Sequence, residues 1–188
     1  MKHISEASPG PRARVTGVVY LFYFLTAIFG QFLHGRKPAI FSVAFNIIGF
    51  ACYIAVTVLF YYLFKPVNRL LSLVAALFSL AGCVIGVFGL FDLTIWNMSP
   101  IIFFAPYCLL IGWLILRSTF LPRILGVLML FAGIGWLAFL SPLAKYLSTF
   151  IEIVGIFAEA SLMLWLLVKG VNVQRWKEQA ATTHKNIL

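Results

Sequence analysis

The chain has 188 residues, 63% of them hydrophobic and only 10% charged, where soluble domains average about 45–50% apolar and about 25% charged. That excludes an ordinary soluble domain and places the chain in the membrane class. The formal charge of +9 does not make it a nucleic-acid binder, because the lysines and arginines punctuate apolar runs instead of gathering on one face.

Residues 1–14 are polar, with Pro9, Pro11, Arg12 and Arg14, and read as a disordered cytoplasmic tail. An apolar run fills residues 15–33. It is longer than the apolar part of a signal peptide and no small-residue cleavage site follows, so it reads as a retained first span. Residues 34–38 form a turn, and a second span covers 40–64, closed by Lys65 and Pro66. The loop 65–69 leads to a third span over 70–91, and a polar link over 92–100 carries Asp92, Trp96 and Asn97. A fourth span over 101–116 contains Pro106, which removes a backbone donor and either kinks the helix or marks its first turns. A fifth span covers 124–140 and a sixth 149–168. Residues 171–188 form a basic cytoplasmic tail, with Trp176 as an interfacial anchor.

The fold class is therefore an all-α integral membrane protein, a six-helix transmembrane bundle with both termini cytoplasmic. Orientation follows from the cations. With the termini inside, eleven Lys and Arg lie on the inner side, and three (Arg36, Lys37 and Lys145) lie outside. The inner cations Lys65, Arg69, Arg117, Arg123, Lys169 and Arg175 need no partner beyond anionic lipid headgroups. Short links make consecutive helices antiparallel neighbours. The stretch 65–69 is weakly echoed at 169–175, which reads as two stop-transfer ends sharing charge rather than a decayed repeat.

The sixth span carries two carboxylates, Glu152 and Glu159. Glu159 falls near its middle, where an ionised carboxylate costs about 2.5–3.5 kcal/mol on insertion scales. Such a group faces the bundle interior, finds a partner, or is protonated. The two glutamates are seven residues apart, so they share a helix face about 10 Å apart, with Gly155 between them. Placed by depth, Gln31, His34, Asn46, Asp92, Asn97 and Glu152 occupy the outer half, with Glu159 beneath them. This predicts a cavity open to the outside with a carboxylate at its floor. The plainer reading puts His34, Asp92 and Asn97 at headgroup level and makes Glu159 a carboxyl that holds the bundle in register.

Other chemistry is poorly supplied. Cys52, Cys83 and Cys108 sit inside apolar runs with no metal or redox spacing. One histidine, His34, lies near a span, which is too few for a bis-histidine haem or a zinc site. No metal or other cofactor is expected. There is no phosphate-binding glycine loop and no nucleophile elbow, and the serines in the spans have no base beside them. Glycines such as Gly82, Gly86, Gly133 and Gly135 read as packing faces, and aromatics such as Tyr23, Phe60 and Phe104 as lipid or helix contacts.

Four stretches carry a family resemblance: Gly17 to Leu21, Lys65 to Arg69, Pro122 to Gly126, and Leu166 to Val173 followed by Trp176. In order and spacing they resemble the bacterial polytopic membrane family called domain of unknown function 4386, over about residues 14–176. The chain is shorter than typical members, mainly in the extracytoplasmic links. The resemblance implies a multi-pass protein of the bacterial inner membrane, with an acidic residue where Glu159 stands. It implies no activity.

Three functions compete. The first is binding or transport of a small hydrophobic solute or lipid between helices, with Glu159 as proton-coupling or ligand-bonding group; at 188 residues such a protein would work as a homo-oligomer or with partners. The second is a membrane-embedded enzyme on a lipid-like substrate, with Glu152 and Glu159 as acid and base. The third is a structural or assembly subunit whose carboxylates pair with another chain.

Overall fold

The computed structural model describes residues 9–34, 40–91, 93, 99–142 and 144–185. Asp92 and Asn97 lie outside the described residues, so their expected roles have no structural counterpart here. Among the described residues there are seven helices and no strand. They are α1 (Pro9–Phe32), α2 (Ile40–Phe64), α3 (Arg69–Gly89), α4 (Ile101–Arg117), α5 (Arg123–Phe139), α6 (Ala144–Val168) and α7 (Val173–Lys185).

Local chemistry sets the helix ends. α1 begins at Pro9, inside the stretch read as a tail, because proline is well suited to a first turn, where its missing N–H costs nothing. α2 stops before Lys65 and Pro66, and Asn68 then caps α3, its side-chain oxygen accepting from the Leu71 N–H at 3.0 Å. α6 ends the same way. Gly170 takes φ 69°, a left-handed conformation that glycine adopts without a Cβ clash, and donates to the Trp165 carbonyl at 3.0 Å. Asn172 then caps α7 through the Arg175 N–H at 3.1 Å. The echo between 65–69 and 169–175 is thus a shared helix-stop and asparagine-cap device.

Each of α1 to α6 packs on its chain neighbours, and α6 closes on α1, so the six helices form a ring. α4 and α5 meet backbone to backbone. A Cβ on Gly112 would lie 2.9 Å from the Gly126 carbonyl oxygen, and one on Gly126 would lie 2.8 Å from that of Gly112. Only glycine lets two backbones meet so closely. Inside the ring lie Tyr20, Tyr53, Phe60, Tyr107, Met129 and Leu162, all buried. Outside, Phe22, Leu77, Phe131 and Phe157 are more than half exposed. An apolar exterior of this kind suits lipid rather than water. α1, α2, α3 and α6 are each long and apolar enough to cross a membrane, and α4 and α5 are apolar helices of 17 residues.

The basic C-terminal stretch forms a strap. α7 lies across the ends of α2 and α4, where helix carbonyls lack partners. Trp176 donates its indole N–H to the Leu63 carbonyl at 2.9 Å, Thr183 its hydroxyl to that of Pro66 at 2.7 Å, and Gln179 its amide to that of Arg117 at 3.2 Å. Trp176 therefore points at the protein, as a clasp, where the sequence suggested a lipid anchor.

Candidate functional site

The site is built where α1 meets α6. A Cβ on Gly17 would lie 2.7 Å from the Leu167 Cα, so the two backbones touch there. One turn further along α1, this approach brings the Tyr20 hydroxyl to Glu159 of α6, to which it donates at 2.7 Å. On the other side of Glu159, Gly155 admits a neighbour: a Cβ there would lie 2.7 Å from the Trp136 indole of α5. The gap that Gly155 leaves is filled by another helix. Glu159 is half-buried and faces the ring interior, while Tyr20 is 1% exposed. Among the described residues no cationic side chain pairs with this carboxylate.

Aromatic rings from three helices surround the pair. Tyr20 packs on Tyr23 and Phe24 of α1, and on Tyr53 and Phe60 of α2 at centroid distances of 6.1 and 5.9 Å. Tyr53 continues to Tyr23 at 4.6 Å, and to Phe104 and Tyr107 of α4 at 5.3 and 6.0 Å. The Tyr107 hydroxyl is buried, and among the described residues nothing hydrogen-bonds it. An unpaired buried polar group costs about 1–3 kcal/mol. The interior around Glu159 therefore holds one carboxyl, the Tyr20 hydroxyl committed to it, and the neighbouring Tyr53 and Tyr107. Half-buried Tyr23 and Glu159 keep surface that a small molecule could touch.

The other sequence candidates do not join this group. Glu152 is exposed on α6. Asn46 is half-buried, donates to the Ser42 carbonyl at 2.8 Å, and lies against Gly30, whose carbonyl accepts from the Ser42 hydroxyl at 2.9 Å. It belongs to the α1–α2 contact. Gln31 and His34 are exposed, eleven and fourteen positions beyond Tyr20, which is about 17 and 21 Å along a helix axis. The structure brings neither of them to Glu159.

Lys65, Arg69, Arg117, Arg123, Lys169 and Arg175 are all exposed. Arg117, Arg123 and Arg175 line one cleft of about 750 Å³ beneath α7, with Gln179 and Thr182. Lys169 and Arg175 line a second of about 390 Å³ with Trp165 and Asn172. These clefts lie where α4 gives way to α5 and α6 to α7, away from the level of Glu159.

Sequence reasoning missed Tyr20, Tyr53 and Tyr107 as polar groups. The signal was there: each is a tyrosine in a run where phenylalanine would serve as well for packing, and its hydroxyl needs a partner once buried.

The architecture and site define a class first: a ring of apolar helices with a carboxyl turned inward. Comparison with known proteins adds a family likeness over part of the chain. Residues 90–170 match the model of a family described as Domain of unknown function (DUF4386). That stretch includes Glu159 and Tyr107 but stops short of Tyr20. An uncharacterized protein of Archaeoglobus fulgidus is 29% identical over 147 residues, covering 74% of this chain and 90% of the relative. The family likeness thus covers residues 90–170, and the relative's likeness 74% of the chain. No solved structure matches the chain.

Proposed function

We propose that this protein binds or transports a small hydrophobic solute or lipid through an intramembrane site around Glu159. The observation that carries this reading is the Tyr20–Glu159 hydrogen bond inside the ring, in company with a buried Tyr107 hydroxyl that meets no hydrogen-bond partner among the described residues. A buried polar group left unsatisfied is an opening for a ligand or water that completes it. The proposal includes a six-span topology in the bacterial inner membrane, with cytoplasmic termini. At 17 residues α4 and α5 reach the lower end of the spanning range of about 17–25 residues. The Lys and Arg excess at one end supports placing that end in the cytoplasm, against anionic headgroups. A second copy of the chain against one apolar outer face is part of the same proposal.

The enzymatic alternative has less support, because Glu152 is exposed while Glu159 is half-buried against Tyr20. The test is native mass spectrometry of the gently extracted protein beside Glu159→Gln. A small molecule bound to the wild type and lost from a folded variant is the expected result. An unliganded wild type, with a variant that alone loses its oligomeric state, would favour the structural role.

A further inference from the structure

We infer that the solute recognised at Glu159 is a lipophilic organic monocation, a protonated amine or a quaternary ammonium, which exchanges with a proton on that carboxyl. The inference rests on the reading of Glu159 as a ligand site and narrows its ligand class.

Charge carries the first part of the argument. A carboxylate inside a bilayer is stabilised only by neutralisation or by a close cation. Tyr20 supplies a hydrogen bond but no charge. Among the described residues no lysine, arginine or histidine completes the pair. Arg14 of α1 lies six positions before Tyr20, and Lys169 ten positions after Glu159, about 9 and 15 Å along the helix axes. Two states are then open to Glu159: it holds a proton, or it faces a cation from beyond the described residues, which a solute can supply. A neutral solute could hydrogen-bond the protonated form, an anion would be repelled by the ionised form, and a cation alone stabilises the ionised form.

The rings carry the second part. Tyr20 donates to the carboxyl, Tyr23, Phe24, Tyr53 and Phe60 pack on Tyr20, and Tyr107 packs on Tyr53, so rings from three helices gather beside it. They cross at steep angles, 75° for Tyr20 on Tyr53 and 86° for Tyr20 on Phe60, so faces point in several directions. Aromatic faces attract cations, most strongly when both are desolvated, and cages of such rings recognise quaternary ammonium groups. An apolar cation also enters from the lipid more readily than a hydrated metal ion.

Exchange follows from the shared carboxyl. One proton leaves Glu159 as one monocation arrives, and the site stays neutral in both states. The titratable groups near it are Tyr20 and Tyr23 from α1, Tyr53 from α2, and Tyr107 and Cys108 from α4, with Cys83 of α3 beyond them beside Tyr23. α5 presents Trp136, which does not titrate. Phenols and thiols are neutral in acid, so Glu159 alone changes charge as pH falls.

The experiment uses tetraphenylphosphonium as probe, with tetraphenylborate as an anion of the same size and shape, on the full-length protein in detergent or vesicles. Saturable binding of the cation is expected, with no site binding of the anion. Affinity should fall by about tenfold or more in Glu159→Gln, which keeps the size but not the charge of the side chain. Glu159→Asp should retain cation binding. In the wild type itself, which needs no variant to fold, acidification should weaken binding by up to about tenfold per pH unit once proton and cation compete. Equal affinity in wild type and Glu159→Gln, equal binding of the anion, or pH-independent binding would overturn the cation assignment. A neutral molecule bound in mass spectrometry without phosphonium binding would overturn it too, and would leave the site standing. Absence of any bound solute, neutral or cationic, would remove the site as well.

Discussion

The Tyr20–Glu159 contact can be weighed by a double-mutant cycle. Tyr20→Phe removes only the hydroxyl that donates to Glu159 at 2.7 Å. The carboxyl then keeps its burial and loses its one hydrogen bond among the described residues. Hydrogen bonds to charged groups contribute about 1.5–3 kcal/mol, and neutral ones about 0.5–1.5 kcal/mol. We expect Tyr20→Phe to cost about 2 kcal/mol, or about 4–8 °C in melting temperature for a chain of this length. Glu159→Leu removes the acceptor and strands the Tyr20 hydroxyl, which is 1% exposed. The double variant strands nothing, so it should be more stable than the sum of the single losses allows. The coupling energy should be about 1.5–3 kcal/mol if the carboxyl is charged, and about 1 kcal/mol if it is neutral. Thermal unfolding of the four proteins in one detergent, followed by tryptophan fluorescence, supplies the cycle. A coupling below about 0.3 kcal/mol, which is additive behaviour, would show that the two groups do not meet and would refute the site's geometry.

Further outcomes follow from the same contacts. Gly17→Val places a side chain against the Leu167 backbone, 2.7 Å from its Cα; it should part α1 from α6, cost about 1–3 kcal/mol or more, and abolish solute binding, which melting and native mass spectrometry read together. Gly170→Ala forces a Cβ into φ 69° and should cost about 1 kcal/mol without changing binding at Glu159. Trp176→Phe deletes the indole donor to the Leu63 carbonyl; it should destabilise α7 by about 1 kcal/mol, seen as faster limited proteolysis at the C-terminal strap with solute binding intact. Replacing Arg117 and Arg123 together by glutamine should reduce co-purifying anionic phospholipid, measured by lipid mass spectrometry, and unchanged lipid would speak against the cleft beneath α7 as a headgroup contact.

How much of this was legible depends on whether the signal was local. Apolar runs cut by Lys65–Pro66, Arg117 and Arg123 coincide with helices because both hydropathy and proline chemistry act along the chain. Glu159 stood out because a carboxyl in an apolar run is costly wherever its partner lies. The partner itself was not legible. Tyr20 is 139 residues away, and helical periodicity says which residues share a face, not which helix that face meets. The same limit misled the pairing of Glu152 with Glu159. A seven-residue spacing aligns them on α6, but where Glu159 meets α1, Glu152 is exposed. Asn46 was assigned to a cavity on depth alone, whereas Gly30 and Ser42 hold it in a helix contact. α7 escaped notice because its docking uses hydrogen bonds from Trp176, Gln179 and Thr183 to backbone carbonyls, which leave no apolar pattern.

The central claim is that Glu159 is an inward-facing carboxyl that a lipid-soluble molecule can reach. Treating the folded protein in membranes with a hydrophobic carbodiimide, followed by peptide mass mapping, tests this directly. The account predicts modification at Glu159, slowed by tetraphenylphosphonium and absent in Glu159→Gln. Modification that spares Glu159 until the protein is unfolded would contradict it, and would leave the carboxyl as a sealed strut between α1 and α6.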